Sequence, residues 1–345
     1  MRRIVVIGGT GFFGGAIIRH LRALGHAPLA ASRRGVDMQI DAEDRAVLRN
    51  RLLPGDVVID AAGPFLRRTT ALVETAMEKG FDVIDMADSI IYARAVAALE
   101  DRINASGICV LTSCSTHSAV SAALVALSGV KEPRRARSLL VPVTRETASP
   151  TVVSAFLPSV GRPVEIFRNG TPALATGWRA THHFRLPPRR GYLIASTDVW
   201  ALPRAFPTLR GVDAWLDVNA FMGNQILAAA ALTALSRRLL LQVMPRLLPL
   251  TRIIGRRWGG ASVEVEDTEG WVAGAMLSAE RDGYLTAIAP AVLAASTLAT
   301  ETFPHVGLVP AHKLVEPHAL TAYLARHGIR LQRMELQQPR GIGPR

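Results

Sequence analysis

Lysine is nearly absent from this 345-residue chain. Only Lys79, Lys131 and Lys313 stand among its 40 basic residues, so arginine supplies almost all of the positive charge, and the formal net charge is +12. Such an excess makes nucleic acid or an anionic surface a candidate partner. Aromatic residues make up only 6% of the chain, however, and they offer few stacking surfaces for bases. We therefore expect no nucleic-acid partner.

Cysteines and long apolar runs are also scarce. Cys109 and Cys114 cannot form a disulfide framework, and they lack the second pair that a structural zinc site needs. We expect no metal site and a reducing, cytoplasmic location. In the most apolar segment, residues 225–258, the longest stretch without charge or amide is 226–236. That is well short of the roughly 20 residues needed to cross a bilayer, so we expect no transmembrane helix.

Apolar residues are plentiful, at 49%, and their spacing predicts the fold class. The first 130 residues alternate short β-branched runs with longer amphipathic segments, the pattern of βαβ units on a parallel sheet. The runs Ile4–Ile7 and Val57–Ile59 do not alternate, as expected of strands buried on both faces. Farther on, alternating segments such as 178–186 and 261–280 indicate strands with one wet face. The sequence therefore predicts an α/β fold, a Rossmann-type parallel sheet followed by a mixed-sheet α+β domain.

Four segments follow from this pattern. We predict a dinucleotide-binding domain at 1–129, a substrate or oligomerisation domain at 130–289, C-terminal helices at 290–330 that return to the first domain, and a mobile tail at 331–345.

The strongest chemical signal is the glycine-rich turn after the first predicted strand. It contains Gly8, Gly9, Thr10, Gly11, Phe12, Phe13 and Gly14. In the pattern G-x-G-x-x-G, Gly9 allows a tight turn, Gly11 the close approach of a pyrophosphate, and Gly14 close packing of helix on strand. The free N–H groups and dipole of the following helix favour phosphate. The turn therefore predicts a dinucleotide site.

Arginines follow the second predicted strand, where the cofactor's ribose is recognised. An acid there would bind a 2′-hydroxyl, whereas arginine pairs with a 2′-phosphate. The chain has Ser32, Arg33 and Arg34, and no acid before Asp37. We therefore expect NADP, with NADPH as its reduced form, rather than NAD; the alternative is a pair of solvated loop arginines.

Small and polar residues end the next strands. Ala62, Gly63 and Pro64 follow the fourth strand, where small residues let the backbone run close to a cofactor. The fifth strand is predicted at Asp82–Asp85, so Asp85 ends it and Asp88 follows it, at the edge where open α/β sheets bind ligands. Capping of the next helix by Asp88 or Ser89 is the structural alternative.

These segments together resemble the saccharopine dehydrogenase-like family of NAD(P)-dependent oxidoreductases, in particular bacterial members of undefined substrate. The resembling pieces are GGTGFFG, VVIDAAGPF, DVIDMADS, LTSCSTHSAVSAAL and GRPVEIFRNG. The resemblance implies a Rossmann domain joined to a mixed-sheet domain. It also implies that Gly63 and Pro64 lie near the nicotinamide and that Asp85 and Asp88 line the cleft. His117 stands where relatives usually carry proline, so it is either specific to this substrate or a solvent-facing substitution.

The function expected is that of an NADP-dependent oxidoreductase. The Tyr-x-x-x-Lys pair of another reductase class is absent from the sequence. We take Asp85, Asp88 and His117 as catalytic candidates, and expect hydride transfer to or from an apolar, enoyl- or acyl-type substrate. The alternative is a catalytically silent dinucleotide-binding protein at a membrane surface or in an assembly.

The apolar, basic segment 225–258 bears on that choice. Between Val218 and Val263 the chain has six arginines and no acid. Such a segment suits an element lying on anionic lipid, or a lid over a greasy substrate. A domain helix or a contact between subunits of a homodimer would have a similar pattern. We keep these alternatives open.

Overall fold

The computed structural model describes residues 1–147 and 156–338, and of residues 245 and 247–254 the backbone alone. The chain divides into two compact units. The first contains Met1–Ala119 and Ala287–Glu316, and the second contains Val120–Thr286 and the chain from Pro317 on. The predicted limits at 129, 289 and 330 differ from these divisions. The first division falls inside the helix Ala119–Leu127 and the second inside the helix Leu285–Ala299.

A parallel sheet forms the centre of the first unit. Its seven strands within the described chain lie in the order β15-β6-β5-β4-β1-β2-β3, which contains the 3-2-1-4-5-6 order of the Rossmann fold. The strands are β1 (Ile4–Ile7), β2 (Leu29–Ser32), β3 (Met38–Gln39), β4 (Val57–Asp60), β5 (Asp82–Asp85), β6 (Cys109–Leu111) and β15 (Gly307–Leu308). Every pair is parallel. The predicted fold class is confirmed.

Burial explains why these short segments form strands. Val5, Val6, Val57 and Val58 are fully buried, so β1 and β4 are covered on both faces. The covering helices are α1 (Phe12–Ala23), α2 (Arg45–Arg51), α3 (Ala71–Lys79), α4 (Ile90–Ala97) and α5 (Glu100–Ser106), and α6 (Ala119–Leu127) follows. Asp44 caps α2 by accepting hydrogen bonds from the N–H groups of Ala46 and Val47.

A mixed sheet forms the second unit. Its nine strands within the described chain run in the order β10-β11-β12-β7-β13-β14-β16, with β8 beside β12 and β9 beside β8. They are β7 (Arg135–Val141), β8 (Pro163–Arg168), β9 (Thr171–Thr176), β10 (Thr181–His183), β11 (Arg190–Ile194), β12 (Gly211–Leu216), β13 (Gly259–Glu266), β14 (Val272–Ala279) and β16 (Arg330–Gln337). The β12–β7 pair is parallel and the others are antiparallel. The predicted mixed sheet is therefore confirmed.

Six further helices follow α6 in the described chain. They are α7 (Thr144–Thr147), α8 (Asp198–Ala205), α9 (Gly223–Ala230), α10 (Ala234–Ile254), α11 (Leu285–Ala299) and α12 (Pro317–Arg326). All but two residues of α11 belong to the first unit. The segment 225–258 forms most of α9 and all of α10. Among the described residues, no helix has both the length and the apolar character that a membrane crossing requires.

The prediction of a mobile tail at 331–345 needs correction. Its first part forms β16, which pairs antiparallel with β14, from Leu331 beside Leu277 to Gln337 beside Val272. The segment contains three arginine or glutamate side chains among apolar ones, and its side chains are mostly exposed. Polar alternation here marks an edge strand with a wet face rather than a free end. Residues 339–345 of the predicted tail lie outside the described residues.

Candidate functional site

The turn between β1 and α1 is built on close backbone contacts. Gly8 has φ of +80°, and a Cβ there would lie 2.9 Å from the backbone of Ala61 and Ala62. A Cβ on Gly14 would lie 2.1 Å from the carbonyl oxygen of Gly8. Since real Cβ atoms do not approach backbone so closely, neither position admits another residue without movement. The close packing of helix on strand expected at Gly14 is present.

The assignment of the tight turn to Gly9 needs correction. The left-handed residue is Gly8, not Gly9. Gly9 is glycine for a packing reason, because a Cβ would lie 2.9 Å from the Ile18 side chain and 3.0 Å from Ala30. The N–H groups of Gly8 and Gly9 both donate to the Ala31 carbonyl, at 2.9 and 3.1 Å, and so tie the turn to β2.

Helix α1 begins with an open N-terminus. Its cap residue, Gly11, supplies no side-chain hydrogen bond, and the first turn contains no acidic residue. Thr10, Gly11 and Phe12 are exposed, and Phe12 and Phe13 contact each other edge to face at 5.2 Å. A Cβ on Gly11 would have one close neighbour, the Gly8 carbonyl at 3.2 Å. The N–H groups and positive dipole end of α1 thus face outward beside a glycine that leaves room for a ligand.

The end of β2 carries uncompensated positive charge. Arg33 and Arg34 are exposed, and the Ser32 hydroxyl donates to the Gly35 carbonyl at 3.1 Å. The next acid is Asp37, and its carboxylate accepts a hydrogen bond from the Ala30 N–H at 2.8 Å. No carboxylate therefore follows directly on β2.

A buried ion pair lies at the end of β4, and sequence reasoning missed it. Asp60 is fully buried and pairs with Arg68, and it also accepts the N–H of Ala62 at 3.0 Å. Arg68 reaches Glu43 at 2.7 Å and donates to the Ala62 carbonyl at 3.1 Å. Burial raises the pKa of Asp60 to about 6, and Arg68 opposes that shift. The pair holds the turn of small residues, of which Gly63 and Pro64 are exposed.

Two signals in the sequence could have revealed this pair. The apolar run VVI ends in an acid, and an ionised carboxylate at the end of a buried strand needs a partner. An arginine follows eight residues later, after the small-residue turn.

Asp85 ends β5 in a fully buried position. Its Oδ1 accepts the N–H groups of Ser113 at 2.8 Å and Ala87 at 3.0 Å, so it joins the turn after β5 to the turn after β6. Burial raises the pKa of Asp85 to about 6, although those N–H groups and the Thr112 hydroxyl lower it. Asp85 is therefore enclosed by the protein and holds these two turns together, and the catalytic role expected for it stays a prediction.

Asp88 and His117 are brought together. Asp88 is exposed and His117 half-buried. Partial removal of water by neighbouring groups raises the pKa of Asp88 above its usual value, and the nearby His117 opposes that shift. Ser89 caps α4 by accepting the Tyr92 N–H at 3.4 Å, so the capping alternative holds for Ser89. Asp88 is left as an accessible acid beside an imidazole.

The turn that carries His117 is bent by two left-handed residues. Ser113 has φ of 57° and Ser118 of 76°, a region that costs a residue with a Cβ about 1–2 kcal/mol. The Cys114 N–H donates to the Asp85 carbonyl at 2.7 Å. Burial raises the pKa of the Cys114 thiol well above its usual range, so this cysteine is an inert packing residue. Among the described residues no cluster of three potential metal ligands occurs.

No protein-family model and no curated protein matches the sequence. The structure is similar to apo saccharopine dehydrogenase (L-Glu forming) from Saccharomyces cerevisiae, with a TM-score of 0.61, 12% identity, and coverage of 97% of this chain and 100% of that one. A substituted meso-DAPDH with DAP from Clostridium tetani matches less well, with a TM-score of 0.45, 11% identity and coverage of 94% and 100%. An NAD binding oxidoreductase from Klebsiella pneumoniae has a TM-score of 0.34, 12% identity and coverage of 96% and 98%. The resemblance expected from the sequence is confirmed at the level of fold.

Asp85→Asn should remove a pH-dependent part of the stability. A carboxyl whose pKa is raised on folding favours the folded state below its unfolded value near 4, and this contribution is lost as the pH rises through about 6. The amide does not ionise, yet its oxygen still accepts both N–H groups. Relative to the parent, the variant should gain on the order of 1–3 kcal/mol in unfolding free energy between pH 4 and 7.

Urea unfolding at several pH values measures this difference. Asp101→Asn, at an exposed position in α5, is the control and should follow the parent. A stability difference between Asp85→Asn and parent that is constant across the pH range would contradict the assignment.

Proposed function

We propose that this protein is an NADP-dependent oxidoreductase that acts on an apolar substrate of the enoyl or acyl type. The observation that carries the proposal is the turn of β1 and α1, where glycine-lined backbone and an uncapped helix N-terminus lie together. The Rossmann strand order places this turn at the edge of the sheet where dinucleotides bind in such folds.

The residues present fit a dinucleotide. Gly11 is exposed and open except toward Gly8, which suits the approach of a pyrophosphate. The turn after β4, at Ala62 and Gly63, offers backbone without bulky side chains and is held by Asp60 and Arg68. A bound nicotinamide dinucleotide would supply the hydride donor or acceptor.

The preference for NADP rests on the end of β2. Arg33 and Arg34 are exposed there, and the nearest following carboxylate, Asp37, stands three residues farther on. A guanidinium favours a 2′-phosphate, and no carboxylate follows β2 directly to accept a hydrogen bond from a ribose 2′-hydroxyl.

Asp88 and His117 are the groups proposed to handle the proton. Histidine is the side-chain type that exchanges protons near neutral pH, and Asp88 lies beside it. Asp85 positions this pair by tying the turn after β6 to the end of β5. The chain would thus place one exposed acid and one imidazole at the carboxyl edge of the sheet.

NADPH should bind at least about tenfold more tightly than NADH. Charge-assisted hydrogen bonds to the 2′-phosphate contribute about 1.5–3 kcal/mol. Arg33→Ala/Arg34→Ala should remove the preference by weakening NADPH alone, as measured by fluorescence titration of both cofactors. Gly11→Val should weaken both cofactors, because its methyl groups would fill the space for pyrophosphate.

Matched variants sharpen the comparison. Arg51→Ala/Arg102→Ala removes two exposed arginines elsewhere in the first unit and should keep the preference. Gly15→Ala, whose Cβ would have no neighbour closer than 3.5 Å, should bind both cofactors like the parent. Equal affinities for NADPH and NADH in the parent would refute the assignment to NADP.

A measurement of turnover distinguishes an active oxidoreductase from a catalytically silent dinucleotide-binding protein. With a chain-length series of enoyl thioesters, NADPH oxidation followed at 340 nm should rise with chain length. His117→Gln should lower kcat about 10²–10⁴-fold and leave the Kd for NADPH unchanged, the range typical of losing a positioned proton donor. His183→Gln, at an exposed position in β10, should retain full activity. NADPH binding without oxidation of any member of the series supports the silent alternative.

A second candidate function, attachment to an anionic membrane, is favoured by exposed apolar side chains. Phe221 is 72% exposed, Leu235 79% and Leu239 60%, whereas Leu240 is buried in the core of the second unit. Helix α10 therefore has a packed face and an apolar exposed one. Arg238, Arg246, Arg256 and Arg257 are exposed in the same segment. The sequence also predicts that the leucines within 247–250 contribute to this surface, and their side chains lie outside the described ones.

The protein should bind reversibly to vesicles that contain phosphatidylserine or cardiolipin, and it should sediment together with them. Arginines near an anionic surface contribute about 1 kcal/mol each, and salt should weaken the association. Replacing Arg238, Arg246, Arg256 and Arg257 by glutamine should release it, with the Kd for NADPH unchanged. Arg237 is left intact because it donates to the Gly161 carbonyl at 3.1 Å.

The control for this experiment removes equal charge elsewhere. Its four positions are Arg51, Arg102, Arg162 and Arg179, all exposed and all changed to glutamine. If both quadruple variants sediment equally, or if the parent sediments with neither anionic nor neutral vesicles, α10 is instead a contact surface for another chain or a substrate lid.

A further inference from the structure

A strongly basic cavity lies at one end of the mixed sheet in the second unit. Its volume is about 450 Å³. Its lining residues are Arg134, Arg135, Phe167, Arg168, Asn169, Arg210, Gly211 and Glu266. Four of the eight lining residues are thus arginines, around a space of the size that takes small ligands.

The backbone holds three of these arginines in place. Arg210 donates its N–H to the Arg134 carbonyl at 2.7 Å, and Gly211 donates to the same oxygen at 3.1 Å. Arg168 pairs with Gly211 across the antiparallel contact of β8 and β12. The starts of β7 and β12 and the end of β8 therefore meet here, and the arginines converge because of sheet pairing rather than chance.

The hairpin of β8 and β9 closes one side of the cavity. Its two turn residues, Asn169 and Gly170, have φ of 53° and 83°, as a type I′ turn requires. The Gly170 N–H donates to the Arg210 carbonyl at 3.0 Å. A Cβ on Gly170 would lie 3.1 Å from Nη1 of Arg210, so the glycine leaves room for that guanidinium.

Two of the charges at the cavity are already balanced. Arg135 donates to Asp213 at 2.7 Å, and the Asp213 carboxylate is only 5% exposed. Glu266, the carboxylate of the lining, pairs with Arg137 at 3.1 Å.

Three arginines have no such balance. Arg134, Arg168 and Arg210 are exposed, and within residues 1–147 and 156–338 none of the three forms an ion pair with a carboxylate. Like charges held together by the backbone repel one another, and a polyvalent anion placed among them relieves that repulsion. The cavity therefore has an excess of about three positive charges and no protein group to meet it.

Phosphate is the anion that these residues suit best. A guanidinium offers paired N–H donors that match two phosphate oxygens, which a lysine ammonium cannot do. Phe167 adds an apolar wall, and the Asn169 amide can add neutral hydrogen bonds. We propose that this cavity binds a small phosphate-bearing compound with two or more negative charges, at a site separate from the turn of β1 and α1.

Inorganic pyrophosphate is the probe for this site. Calorimetric titration of the full chain should show saturable binding, and Gly11→Val, whose methyl groups would fill the pyrophosphate space of the glycine-rich turn, should leave this binding unchanged. Arg168→Gln/Arg210→Gln should weaken it at least tenfold. Asn169→Asp, which adds a carboxylate at the same wall and removes no arginine, should also weaken it and covers the case in which the double variant fails to fold.

The control pair is Arg162→Gln/Arg179→Gln, two exposed arginines outside the cavity, and it should bind pyrophosphate within twofold of the parent. Inorganic phosphate should bind more weakly than pyrophosphate, and chloride at equal ionic strength should not compete. Equal weakening by both arginine pairs would show general charge attraction rather than a site and would overturn the proposal. Unchanged binding in both pairs, an absence of binding in the parent, or full competition by chloride would also overturn it. Because the readout is pyrophosphate binding, the site can fail or stand whether or not NADPH binds.

Discussion

Close approach of backbone to backbone is the constraint on which the candidate site of the first unit depends. The turn after β1 lies so near the turn after β4 that Gly8 has no room for a Cβ. Gly14 likewise brings α1 close to the carbonyl of Gly8. Three chain segments thus meet without side chains between them. The helix N-terminus, the small residues at Ala62 and the β2 end are consequently held within one short span of the sheet edge.

Buried carboxylates hold the neighbouring turns in the same way. Asp60 fastens the turn after β4 through Arg68, and Asp85 fastens the turn after β6 through backbone N–H groups. Burial raises the pKa of both to about 6, which means that each prefers its protonated form more than a free aspartate does. Asp60 and Asp85 thus serve the structure of these turns, whereas Asp88 is exposed.

Much of this arrangement was predictable from the sequence, because local patterns carry it. The strand Asp82–Asp85 agrees end to end with the predicted one, since four buried residues bounded by Gly80 and Ala87 leave little freedom. Which strands and turns contact one another across the sheet was not predictable from the sequence. The tail looked mobile because the polar character of β16 makes sense only beside β14, more than 50 residues earlier. Likewise the left-handed residue of the first turn, Gly8 rather than Gly9, depends on contact with β4.

The scarcity of lysine has a structural consequence that composition alone does not convey. Several arginines bond more than one group at once, as Arg3 does with Asp56 and the Arg51 carbonyl, and Arg68 with Asp60, Glu43 and a backbone oxygen. A single ammonium could not span such sets. Arginines used in this way are neutralised within the fold. The exposed arginines that contribute to the net charge of +12 lie elsewhere, at the end of β2, along α10 and at the cavity of the mixed sheet. Each of these places is a candidate for contact with an anion.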